Sequence, residues 1–102
     1  NIYPQETDDV LLKHAAVGDV CTVGIPSEEW GEEVRSVVML KSPTEDNAAV
    51  VQELIAFCRD HLPHFKCPRS IDIVDELPRL PSGKIQRKVV RAPYWEGRKR
   101  QI

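Results

Sequence analysis

Pro78, Gly83 and Lys84 stand in the spacing Pro-x-x-x-x-Gly-Lys, inside Leu77-Pro78-Arg79-Leu80-Pro81-Ser82-Gly83-Lys84-Ile85-Gln86-Arg87. Pro78 and Pro81 stiffen this segment, and Gly83 admits backbone torsions that other residues resist. Ser82 is placed to cap a helix, which would set Lys84 in its first turn. There the helix dipole opposes a cation, so helix stability is a poor reason for the lysine and an anionic ligand is a better one. The chemistry is that of one ammonium aimed at negative charge, with Gly83 as loop support. A phosphate-cradling P-loop fails on two required groups. Pro78 stands where the first glycine of G-x-x-x-x-G-K-[ST] belongs, and Ile85 replaces the magnesium-binding hydroxyl.

The elements that must carry this loop are short and mixed. Pro4 suits the first position of a helix, and Glu6, Asp8 and Asp9 place negative charge at its positive end. With Thr7, Val10, Leu11 and His14 on one face, the spacing predicts a helix over 4–14. Residues 17–25 read as a strand with Cys21, Val23 and Ile25 on one side, and 34–41 as a second strand after a polar turn. Thr44 or Asn47 could cap the next helix. Its apolar stripe is Val50, Val51, Leu54, Phe57, Cys58, His61 and Leu62, and Pro63 stops it. A third strand over 70–75 and a helix over 84–91, ending before Pro93, complete the order α-β-β-α-β-α. That order predicts a small α+β layer fold, a three-stranded sheet flanked by helices, in a single domain of 102 residues.

Composition narrows the functional classes. Hydrophobic and charged contents of 41% and 29% are ordinary for a globular domain. No apolar run approaches the ~20 residues of a membrane helix, so no membrane partner is expected. The opening Asn1-Ile2-Tyr3-Pro4 lacks a start methionine and the pattern of a signal peptide, which suggests a piece of a longer chain. Cys21, Cys58 and Cys67 are odd in number, widely spaced and not paired with His61 or His64 at zinc spacing. No metal site is expected, and free thiols in a reducing compartment point to the cytoplasm.

The net charge of −2 hides a division: residues 1–83 carry −8 and residues 84–102 carry +6. A basic end on an acidic body suits a surface that meets phosphates or an acidic partner. Nucleic acid is not the expected partner, because the body is acidic and 84–91 lacks interleaved aromatics. Solvated charge is the reading for Arg87, Lys88, Arg91, Arg98, Lys99 and Arg100. His14, His61 and His64 read as ordinary helix or loop positions, and Trp30 and Trp95 as packing or docking residues.

The Pro78-to-Lys84 pattern resembles the lysine motif of adenylate-forming enzymes, a family of acyl-CoA synthetases, firefly-type luciferases and peptide-synthetase adenylation domains. Other segments agree in order. Asn1-Ile2-Tyr3-Pro4-Gln5-Glu6 is similar to the opening of the family's C-terminal domain. Val17-Gly18-Asp19-Val20, Gly24-Ile25-Pro26 and Trp30-Gly31-Glu32-Glu33-Val34 are similar to its first hairpin. Phe57-Cys58-Arg59 and His64-Phe65-Lys66-Cys67-Pro68-Arg69 are similar to its central helix and following loop. Pro93 to Arg98 looks most like fatty-acyl or aromatic-acyl CoA ligases. Thr7, Ala15 and Leu80 depart from the pattern, and none touches the lysine.

The resemblance implies a part-enzyme: the mobile C-terminal domain of an ATP-dependent acyl-CoA ligase, whose large N-terminal domain holds the ATP and acyl sites. It implies Mg-ATP, CoA and a carboxylate as substrates of the complete enzyme, none bound by this domain alone, and an isolated chain without activity. Lys84 is implied as the catalytic and substrate-binding lysine of adenylation, and its acetylation, as in some relatives, would remove the charge. An amino-acid adenylation fragment is the alternative within the family. A non-enzymatic binding module with a basic end is the alternative outside it.

Overall fold

The computed structural model describes residues 2–97. The elements are α1 (Pro4–Leu11), β1 (Val17–Ser27), β2 (Gly31–Leu40), α2 (Asn47–His61), the single 3-10 turn His64–Lys66, β3 (Ser70–Ile73) and α3 (Arg87–Trp95). The predicted order and three-stranded sheet are present. The sheet runs β1-β2-β3, with β1 antiparallel and β3 parallel to β2.

Both sheet faces are covered. On one, Val20, Val38 and Ile71 pack with Val10 and Leu11 of α1 and with Leu54 and Cys58 of α2. On the other, Cys21, Val23, Ile25 and Val37 pack against Val90 of α3, with Leu77, Ile85 and Tyr94 at the margin. The alternation read in β1 is therefore correct, and its two faces serve two separate apolar clusters. In α2 the full stripe does not go inside. Leu54 and Cys58 are buried, whereas His61 is exposed and donates from Nδ1 to the Phe57 carbonyl at 2.8 Å. Asp46, rather than Thr44 or Asn47, caps α2 by accepting the Ala49 N–H at 3.0 Å.

Three boundaries move. Helix α1 stops at Leu11 rather than at about His14. His14 instead accepts the Ala16 N–H at Nδ1 (3.0 Å) and donates from Nε2 to Glu53 of α2 (2.8 Å), which ties the turn down. Strand β3 ends at Ile73, two residues short of the expected end. Helix α3 starts at Arg87, three residues after Lys84, and runs through Pro93 to Trp95. Pro93 is tolerated because it and Val89, whose carbonyl loses its helical partner, lie on the exposed side where water can replace the bond.

All three cysteines are free and buried, and burial pushes the Cys21 thiol up to about 11 and the Cys58 thiol up to about 12, from 9.0. A raised thiol favours the folded state while protonated, so this contribution is whole below pH 9.0 and fades as pH rises through 11–12. The melting temperature is expected to fall over that window, and to fall less in a Cys21→Ala/Cys58→Ala variant. Equal slopes for the two proteins would contradict the burial.

Candidate functional site

Lys84 lies on a miniature hairpin, not on a helix. Arg79 and Ile85 form an isolated antiparallel bridge, the Leu80 N–H donates to the Lys84 carbonyl at 2.9 Å, and the Gly83 N–H donates to the Leu80 carbonyl at 2.7 Å. Pro81, Ser82 and Gly83 form the three-residue loop, whose last residue is left-handed, a favoured hairpin geometry. Gly83 has φ +94°, in the region that excludes most side chains, so this turn suits glycine. The expectation that Ser82 caps a helix carrying Lys84 is overturned. The bridge and the left-handed glycine keep 79–85 extended and turned, and only Gln86, the residue before α3, releases the chain into the helix.

The Lys84 side chain is exposed, and among the described residues no carboxylate or carbonyl accepts from its ammonium. The loop beneath it is held firmly. Arg79 donates Nε to Asp19 Oδ2 (3.1 Å) and Nη2 to Asp19 Oδ1 (2.7 Å), while Nη1 donates to the Gly83 carbonyl. Sequence reading passed over both Arg79 and Asp19. The arginine's place within the motif was the available signal; nothing in the sequence points to a carboxylate 60 positions away.

Some of the basic end serves the fold. Arg87, expected to be solvated, donates from Nη2 to Asp8 Oδ2 (3.0 Å) and from Nη1 to the Thr22 carbonyl (2.6 Å). Asp8 is buried and also accepts the Thr22 N–H at 2.8 Å. Trp95 Nε1 donates to the Gly24 carbonyl at 2.8 Å, and Arg91 Nε donates to it at 3.3 Å. These side chains occupy the outer edge of β1, which would otherwise present unpaired backbone groups. Trp95 is thus a packing residue, as expected. Lys88 is exposed, and the expectations for Arg98, Lys99 and Arg100 lie outside the described residues.

Trp30, at the far end of the β1–β2 hairpin, is 63% exposed and so is not a packing residue. It lines a groove of about 590 Å³ with Phe65, also exposed, His64 and Arg69. Asp19, the anchor of the lysine loop, is near the start of β1, and Ser27 ends the strand beside Trp30. At ~3.3 Å per residue the two positions are about 26 Å apart along the strand. Lys66, which follows Phe65, pairs with Glu6 at 2.7 Å and serves the fold. Among the described residues, no group of three or more His, Cys, Asp and Glu side chains could hold a metal ion, and no helix is long and apolar enough to cross a membrane.

Known proteins carry the same framework. A family model described as the AMP-binding enzyme C-terminal domain matches residues 6–84. A medium/long-chain-fatty-acid–CoA ligase of Mycobacterium tuberculosis is 37% identical over 100% of this chain and 19% of its own length. A long-chain-fatty-acid–CoA ligase of Salmonella typhimurium is 41% identical over 89% of this chain and 16% of its own length. The crystal structure of an acyl-CoA synthetase of Brucella canis superposes with a TM-score of 0.87 at 36% identity, covering 94% of this chain and 18% of that one. The chain spans less than a fifth of the length of these relatives. A match that runs from Glu6 to the lysine itself, on a fold shared at that level, makes this chain a member of the AMP-binding enzyme C-terminal domain family.

Proposed function

We propose that this chain is the mobile C-terminal domain of an ATP-dependent acyl-CoA ligase, and that Lys84 serves the adenylation half-reaction. The observation that carries the reading is the exposed ammonium of Lys84, without a partner among the described residues, on a hairpin whose backbone is fixed on both sides. When a carboxylate approaches the α-phosphate of ATP, two anions converge. Lys84 would donate to oxygens of both, offsetting their repulsion and holding the attack geometry. Gly83 keeps the turn that presents it. The ATP and acyl sites, with the Mg of Mg-ATP, belong on this reading to a large N-terminal domain of the same protein.

CoA then displaces AMP, and that step calls for a different face of the domain. The groove at Trp30, Phe65 and Arg69, which Glu32 and Glu33 also line, lies at the opposite end of the hairpin from the lysine loop and offers two exposed aromatic side chains and one arginine for it. Rotation of the domain between steps would withdraw Lys84 and bring this end forward. The buried free thiols are consistent with a reducing compartment, and we assign the protein to the cytoplasm. The relatives act on differing acids, among them long-chain fatty acids and oxalate, so the acyl substrate is not assigned. The test is carboxylate-dependent exchange of labelled pyrophosphate into ATP by the complete enzyme, followed by release of AMP when CoA is added. Exchange without a carboxylate, or thioester formed without AMP, would rule the assignment out.

A further inference from the structure

We infer that Arg79 and Asp19 are positioning residues for Lys84: together they fix the orientation of the Gly83–Lys84 peptide and so the direction in which the ammonium is presented. The inference rests on the adenylation role of Lys84 proposed above. The loop holds a conflict. The hairpin needs a left-handed residue at position 83, and glycine, which meets that need, is the residue with the least restricted backbone. Glycine alone would leave the peptide that follows it free to swing, and Lys84 with it.

Arg79 removes that freedom. Its Nη1 donates to the Gly83 carbonyl, which is the oxygen of the Gly83–Lys84 peptide itself. The next carbonyl, that of Lys84, accepts from the Leu80 N–H at 2.9 Å. The two peptide planes flanking the Lys84 Cα are therefore both held, one by backbone and one by the guanidinium. The guanidinium is fixed in turn by a fork on Asp19, at 3.1 and 2.7 Å, a two-point geometry that a lysine could not reproduce.

The carboxylate is also oriented from its own strand. Gly18 is the extra residue of a β-bulge, since Val17 opposes Leu40 and Asp19 opposes Met39. Bulges re-aim the side chain beside them. Asp19 Oδ1 accepts the Val20 N–H at 2.9 Å, so the carboxylate is held to its own backbone as well as to Arg79. The chain of restraint runs from sheet to Asp19, to Arg79, to the Gly83 carbonyl, to Lys84. Exposed ion pairs contribute little to stability, so this one is expected to matter for geometry more than for folding.

The test compares Arg79→Ala, Asp19→Asn and Arg79→Lys in the complete enzyme, each alone and with Lys84→Ala. Pyrophosphate exchange reports adenylation, and CoA thioester formation from preformed acyl-adenylate reports the second step. Arg79→Ala is expected to lower the exchange rate by about 10- to 100-fold, the scale of a misplacement near 1 Å. Asp19→Asn and Arg79→Lys should fall between it and wild type, with thermal melting and thioester formation retained in all three. In the Lys84→Ala background, loss of Arg79 should change exchange less than about 2-fold, because residues acting through one group are not additive. Multiplying effects, equal losses in both half-reactions, or wild-type exchange in Arg79→Ala would each overturn the positioning role. Wild-type exchange in Lys84→Ala alone would instead overturn the function on which it rests.

Discussion

Lys84→Ala in the complete enzyme is expected to lower carboxylate-dependent pyrophosphate exchange by about 10²–10³-fold, the usual cost of removing one preorganised electrostatic group. CoA thioester formation from preformed acyl-adenylate is expected to remain within about 3-fold of wild type, as for a group whose interaction belongs to the other transition state. The asymmetry follows from the adenylation role proposed for Lys84. The ammonium is exposed, has no partner among the described residues, and sits on a hairpin that does not depend on its side chain. Removing it should leave the fold intact, so melting temperature is the control. Equal loss in both steps would make Lys84 a general docking contact, and unchanged exchange would leave the hairpin without assigned chemistry.

The second large effect concerns stability. Arg87→Ala leaves the buried Asp8 carboxylate without its charge partner and the Thr22 carbonyl without a donor. Breaking one side of a buried pair costs about 3–5 kcal/mol, a large share of the 5–15 kcal/mol that holds a typical domain together. At ~4–8 °C per kcal/mol for a domain near this size, the melting temperature should fall by more than ~10 °C.

The loss should depend on pH in a definite sense. Burial already holds the Asp8 carboxyl above its ordinary 3.8, against the lowering effects of Thr22 and Arg87. A carboxyl raised in the folded state favours folding while protonated, and that contribution is lost as pH rises through its folded value. Without Arg87 it rises further, so Arg87→Ala should be most destabilised near neutrality and recover toward pH 4. Adding Asp8→Asn should restore part of the stability at pH 7, since the charge is gone while an oxygen still accepts from the Thr22 N–H. A pH-independent loss, or a melting temperature close to wild type, would show that the pair is not coupled as the structure has it.

The basic end was legible as a charge asymmetry but not as two populations. Arg87 and Arg91 look the same in sequence as Lys88, because periodicity cannot tell a helix face turned to solvent from one turned to a sheet edge. The distinction comes from β1, whose outer edge needs donors for the Thr22 and Gly24 carbonyls. Helix α3 supplies them from Arg87, Arg91 and Trp95. The same edge explains why the helix runs through Pro93, since Trp95 must still reach Gly24.

The sequence by itself determined the element order and one apolar face of β1, and it singled out Lys84 and Gly83 as candidates. Those features are local. Strand alternation, proline and glycine punctuation, and a lysine after a glycine are all encoded within a few positions. Only the tertiary structure decided that β3 lies parallel to β2, that Asp46 caps α2, and that Lys84 rides a hairpin rather than a helix. It alone joined Asp19 to Arg79, and Asp8 to Arg87 across 79 positions. Contacts between such distant residues leave no periodic trace, because they depend on where the sheet places each strand and not on the residues beside them.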